Sequence, residues 1–192
     1  GCIRVYANRD YEPYALERDK KIFELLNKQN INFIGSKDHV VFEKSEVVKN
    51  DGTPYLVFTP YSKKWKALFS VQPNQEYNTI GSIDNLIQVE EKQNLIDLKD
   101  MGFKYTPQTI PKKDVTNNII QSYQNNRDFP SRNGTSRLGI HLRFGTISIR
   151  ELVNKSENLS QTFINELIWR DFYQMIIFHF PHSAENSFRK EY

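Results

Sequence analysis

Apolar and polar positions divide the chain into three stretches. In the first, residues 1–70, Cys2-Ile3-Arg4-Val5-Tyr6-Ala7 is short and β-rich and predicts a strand. Asn8-Arg9-Asp10 reads as a turn. From Glu12 to Asn30, Leu16, Ile22, Phe23 and Leu26, with Ala15, fall on one helical stripe, and Pro13 is tolerated in its first turn. Ile31-Asn32-Phe33-Ile34 predicts a second strand and Val40-Val41-Phe42 a further extended stretch. Strand, long helix, strand is a βαβ crossover and implies a parallel sheet. Asn50-Asp51-Gly52 is a hairpin signal. Thr59-Pro60 starts a helix that runs through Trp65 to about Phe69.

Periodicity then fades. Residues 71–113 are rich in Asn, Gln and Lys, and Pro107 and Pro111 punctuate them. They read as a linker with at most a short helix at Ile83–Leu86. From Asp114 onward the pattern is helical. Asp114 is the expected cap of a segment carrying Val115, Ile119, Ile120 and Tyr123. Thr135–Phe144 predicts a short helix stopped by Gly145, and Ser148-Ile149-Arg150-Glu151 a capping box. Gln161–Phe180 predicts a strong helix ending before Pro181. The fold class is therefore α/β followed by all-α: part of a Rossmann-like parallel-sheet domain over 1–70, a linker over 71–113, and the first helices of a helical domain over 114–192. Both ends read as cut, because a parallel sheet is covered on both faces and usually has more than two strands.

Composition narrows the class of protein. With 38 % hydrophobic and 26 % charged residues in 192, the chain is neither disordered nor membrane-embedded. The N-terminus carries no signal-peptide pattern. A single cysteine, Cys2, excludes an intramolecular disulfide framework, and the cytoplasm follows as the expected compartment. A net charge of +3 permits a nucleic-acid partner without requiring one. His179 and His182 are split by Pro181 and lack an obvious third ligand, so no metal site is expected.

Two places carry chemistry. Gly134-Thr135-Ser136-Arg137-Leu138 brings two hydroxyls and a guanidinium to an expected helix N-terminus, a donor set suited to phosphate. A well-capped helix would use the same hydroxyls. The loops Gly-x-x-x-x-Gly-Lys-Ser/Thr and Gly-x-Gly-x-x-Gly are absent. In the long helix, Glu166, Trp169, Arg170 and Tyr173 fall at i, i+3, i+4 and i+7 on one face. That face can hydrogen-bond one aromatic ligand and stack on another. The plain alternative is an exposed Glu166–Arg170 ion pair beside core aromatics.

The run Tyr123-x-x-x-Arg127-Asp128-Phe129-Pro130, then Gly134–Leu138, then His141-Leu142-Arg143-Phe144-Gly145-Thr146-Ile147-Ser148, then Asn165–Tyr173, resembles the DNA photolyase/cryptochrome family. Asn8–Tyr14 with Glu17-Arg18-Asp19, and Val57–Tyr61 with Trp65, resemble that family's α/β domain and its exit. The closest likeness is to bacterial class I enzymes that repair cyclobutane pyrimidine dimers.

The resemblance implies FAD in the helical domain. Tyr123 and Thr135, Ser136, Arg137, Leu138 and Gly139 match segments that bind the flavin's diphosphate and nearby groups, with Gly139 standing where serine is frequent. It implies that Glu166 is the carboxylate facing the lesion's bases, that Trp169 packs on the flipped lesion, and that Arg170 lies near both FAD and DNA. The implied partner is damaged DNA and the implied reaction is light-driven dimer splitting. Tyr14-Ala15 stand where folate-antenna members have Asn-Glu, so a second antenna chromophore stays unidentified. A cryptochrome-like blue-light receptor is the alternative function. Family members are more than twice as long, so the isolated chain is expected to be an inactive fragment that holds no FAD and self-associates through bare surface.

Overall fold

The structure is a computed structural model and describes residues 1–72, 79–87, 94–189 and 191. Strands β1 (Arg4–Asn8) and β2 (Asn32–Ser36) pair in parallel, Arg4 opposite Asn32 through Asn8 opposite Ser36. Helix α1 (Pro13–Asn27) makes the crossover between them, and Asn30 turns the chain back at φ 57°. The α1 stripe is less buried than its spacing predicts. Ala15 is buried, but Phe23 stays half exposed, because two strands are too narrow to cover the helix.

Val40-Val41-Phe42 is buried but bends instead of forming a strand. The N–H groups of Val41 and Phe42 donate to the Asp171 carboxylate at 3.2 and 3.1 Å, so they have none to offer a neighbouring strand. The expected hairpin forms as a single antiparallel bridge between Val48 and Pro54. Helix α2 (Phe58–Val71) begins just before Thr59 and buries Tyr61, Trp65 and Phe69 at i, i+4 and i+8. Pro60 sits in its first turn, where a missing N–H costs nothing.

Within the expected linker, Ile80–Asn85 forms a 3₁₀ turn; residues 73–78 and 88–93 lie outside the described residues. Helices α3 (Asn117–Gln121) and α4 (Tyr123–Asn126) follow. The α3 cap is Thr116, whose hydroxyl accepts from Ile119 N, and not Asp114. Helix α5 (Gly139–Arg143) is shorter than the expected Thr135–Phe144. Arg137 lies at φ 53°, a left-handed conformation that a right-handed helix cannot contain. Gly145, at φ 62°, ends the segment as expected. Ser148 caps α6 (Ile149–Ser156) by accepting from Glu151 N, and Ser160 caps α7 (Gln161–His179) by accepting from Phe163 N, each at 3.3 Å.

One core joins these parts. Val41, Phe42, Tyr61, Trp65 and Phe69 pack with Leu152 and Val153 of α6 and with Phe163, Leu167, Ile168 and Phe172 of α7. The architecture is a small parallel α/β unit followed by helices, as the sequence pattern predicts. Among the described residues no helix is long and apolar enough to cross a membrane.

Candidate functional site

Helix α7 carries apolar residues around most of its girth, and α2 and α6 cover two of its sides. Glu166, Trp169 and Tyr173 share a face that is only partly covered: Glu166 and Trp169 are half-buried, Trp169 against the core, and Tyr173 is exposed. Trp169 lies in a ring stack. Phe58 covers one face with centroids 3.7 Å apart and planes 4° apart, and Tyr173 overlaps it at 5.4 Å and 24°. Phe172 meets Trp169 edge-on at 5.6 Å. Offset and edge contacts of this kind hold an indole in one plane.

Glu166 pairs with Arg127, not with Arg170 as the helical spacing suggested. The Arg127 guanidinium also lies over the Tyr123 ring, 5.8 Å from its centroid, and Tyr123 meets Phe163 edge-on at 5.2 Å. Burial raises the Tyr123 pKa, and the Glu166 charge adds to it. Its phenol therefore remains a neutral hydrogen-bonding group.

Arg170 turns away from Trp169. It donates to the carbonyl of His39 and, at 3.4 Å, to that of Leu142, near the C-terminal end of α5. Carbonyls at a helix end lack an intrahelical donor, and a buried one needs a partner from elsewhere. Burial lowers the Arg170 pKa, and the Asp171 charge opposes the shift. Arg170 thus ties the α/β loops to the helices.

The neighbouring Asp171 is 1 % exposed. Its Oδ2 accepts from Val41 N, Phe42 N and the Trp65 indole N–H, the last at 2.9 Å. Desolvation raises its pKa to about 6 against the pull of those three donors.

The phosphate-type segment is built as an irregular loop. Gly134 is buried, and a Cβ there would lie 2.5 Å from Asn126 Cβ and 2.8 Å from its carbonyl oxygen. Glycine is required by this close approach, not by a positive φ. Leu138 plugs the loop into the core at 2 % exposure, while Thr135 and Arg137 face solvent and Ser136 is half-buried. No side chain caps α5, and the space beside Gly139 Cα is open. The helix-capping hydroxyls expected at 135 and 136 are therefore free donors on a loop. His141 does not face outward: its ring nitrogens meet Thr146 Oγ1 and the Pro111 carbonyl, each at 2.7 Å.

The structure thus joins Tyr123 to Glu166 through Arg127, and groups Trp169 with Phe58 and Tyr173. Among the described residues no hydrogen bond, ion pair or ring contact links Thr135–Gly139 to Trp169. Arg127, Asp171 and Phe58 were not singled out as site residues from the sequence. Arg127 carried a signal, four residues after Tyr123 on a helical segment. Phe58 carried none, since it meets Trp169 only through the fold.

The family model described as DNA photolyase matches residues 1–78. A deoxyribodipyrimidine photo-lyase of Alkalihalophilus pseudofirmus is 33 % identical over 212 residues, covering 98 % of this chain. The chain is thus similar to DNA photolyases along nearly all of its length. It spans about 43 % of the length of that photolyase. The fold agrees. A bacterial class III photolyase from Agrobacterium tumefaciens superposes with a TM-score of 0.70 at 21 % identity, over 96 % of this chain and 42 % of its own. An archaeal photolyase from Sulfolobus tokodaii, crystallised with two FAD molecules, superposes at 0.66 with 23 % identity, over 98 % of this chain and 42 % of its own.

Proposed function

We propose that the chain is part of a FAD-dependent deoxyribodipyrimidine photolyase that repairs cyclobutane pyrimidine dimers in the cytoplasm. Residues 1–70 are part of its α/β antenna domain, 71–113 the linker, and 114–192 the first part of its flavin-binding helical domain. The observation that carries this reading is the partly covered face of α7, which bears the Glu166 carboxylate and, three residues on, the Trp169 ring stack. An acid that accepts hydrogen bonds beside a stacking ring is the chemistry that holds an extruded pyrimidine.

The loop fits a diphosphate. Thr135 and Ser136 offer hydroxyls, Arg137 a guanidinium, and the uncapped amides at Gly139 further donors. These residues, together with Tyr123, would hold FAD. When bound and reduced, FAD supplies the light-driven electron that opens the dimer's cyclobutane ring. The chain's own residues bind and orient. Glu166 accepts hydrogen bonds from a pyrimidine edge, and its pairing with Arg127 holds the carboxylate in place. Trp169 supports the flipped lesion by stacking. Arg170 holds the floor of the site through the His39 and Leu142 carbonyls.

A cryptochrome-like receptor would keep the flavin loop and lose the lesion face. Dark binding separates the two readings. Tighter binding of flavin-loaded protein to a thymine-dimer oligonucleotide than to the intact one supports repair, and equal binding supports the receptor. The 192-residue chain alone is expected to hold no FAD and to repair nothing. Its Ile3, Tyr6, Tyr14 and Leu25 are each more than half exposed. Such a surface favours self-association, and a monomer on sizing chromatography would contradict that expectation.

A further inference from the structure

The ring that the proposed function assigns to the lesion does not stand alone. Phe58, first residue of α2, lies flat on Trp169 at contact distance, 3.7 Å between centroids and 4° between planes. The buried Phe172 wedges both rings edge-on, at 5.9 Å from Phe58 and 5.6 Å from Trp169. Helix α2 is itself fixed to α7 by the Trp65–Asp171 hydrogen bond, so Phe58 has a rigid base. Phe58 fills one face of the indole at contact distance, while Tyr173 stacks on the ring more loosely, farther off and tilted.

We propose that Phe58 is a positioning residue for lesion binding: it closes one face of Trp169 and sets the plane on which a flipped pyrimidine dimer stacks. The inference rests on the reading of Trp169 as the lesion-facing ring. A base stacks only on a flat surface held steady, and an indole free to turn loses part of that contact to rotamer freedom. Tyr173, 57 % exposed and offset at 5.4 Å, is the ring an incoming base must share or displace. Phe58 carries no polar atom, so it acts on the ligand only through Trp169. This couples the exit of the α/β unit to the DNA-facing helix.

The test compares Phe58→Leu, Phe58→Met and Phe58→Tyr in the full-length, flavin-loaded protein. The readout is the affinity for a thymine-dimer oligonucleotide divided by that for the same undamaged oligonucleotide. Leu and Met remove the flat partner, and this ratio is expected to fall by about 2- to 12-fold, the worth of one aromatic pair. Phe58→Tyr restores the flat partner and is expected to keep the ratio. Should the Leu variant not fold, Met retains the volume and carries the test. An unchanged ratio in the folded Leu or Met variant overturns the proposal. So does an equal loss for damaged and undamaged DNA, which would mark Phe58 as structural. A wild-type protein with no preference for the dimer would instead bring down the reading of Trp169 itself, and this inference with it.

Discussion

Trp65 donates its indole N–H to Asp171 Oδ2 at 2.9 Å, joining residues 106 positions apart in the buried core. The same oxygen accepts from Val41 N and Phe42 N, so one carboxylate fastens a loop, α2 and α7 together. Removing it leaves three buried donors unpaired. Asp171→Ala is expected to cost about 3–5 kcal/mol of stability, while Asp171→Asn, which keeps one acceptor oxygen, costs less. Urea unfolding of both variants measures this, and an Ala variant within 1 kcal/mol of wild type would contradict the three-way anchor.

The same carboxylate gives stability a pH signature. Burial raises its pKa from 3.8 to about 6, so in that window the folded chain holds a proton that the unfolded chain releases. Its contribution to stability therefore falls as pH rises from about 4 to 6 and levels off above. Glu43 acts elsewhere: burial pushes its pKa up, but hydrogen bonds from Arg9 and Tyr11 outweigh that and hold it below 4.5. Its contribution is lost only at more acidic pH. The stability difference between wild type and Asp171→Asn should shift toward the variant between pH 4 and 6, and a flat difference would contradict the assignment.

Gly134 admits no side chain. A Cβ would lie within 3 Å of three Asn126 atoms, two of them backbone. Gly134→Ala is expected to lose about 1–3 kcal/mol through displacement of the loop. Thermal melting together with FAD titration of the full-length protein checks this, with weaker FAD binding expected alongside the lower melting temperature. Unchanged values in both would show that the loop is not held here.

The elements that local pattern dictates were legible in the chain. The parallel βαβ unit, the Ser148 cap and the Gln161–His179 helix follow from periodicity and capping chemistry that act within a few residues. Residues 135–138 lie in a loop, not in the expected Thr135–Phe144 helix, because the left-handed Arg137 is a non-glycine exception that spacing does not announce. The partners of Arg170 were not legible for a different reason. Its direction depends on the His39 and Leu142 carbonyls, 131 and 28 residues distant. Likewise, only the packing of α2 on α7 makes Phe58 and Trp65 partners of the motif helix. Long-range partners of long side chains were the part that the chain did not spell out.

Trp169 should affect DNA and flavin differently. Trp169→Ala is expected to weaken binding to a dimer-containing oligonucleotide by about 1–3 kcal/mol, the worth of one stacked base. Flavin content per folded molecule is expected to stay as in wild type, because no contact links Trp169 to the Thr135 loop among the described residues. Fluorescence anisotropy and flavin absorbance measure the two quantities on one sample. An equal loss of flavin would make Trp169 a pocket or core residue.

Photorepair tests the central claim most directly. The full-length protein, loaded with FAD and photoreduced, is illuminated with blue light in the presence of an oligonucleotide carrying one thymine dimer, and the restored thymines are counted. The account predicts catalytic, light-dependent repair, absent in the dark and strongly reduced in Glu166→Ala. A flavin-loaded protein that binds the oligonucleotide yet leaves the dimer intact after illumination would contradict it.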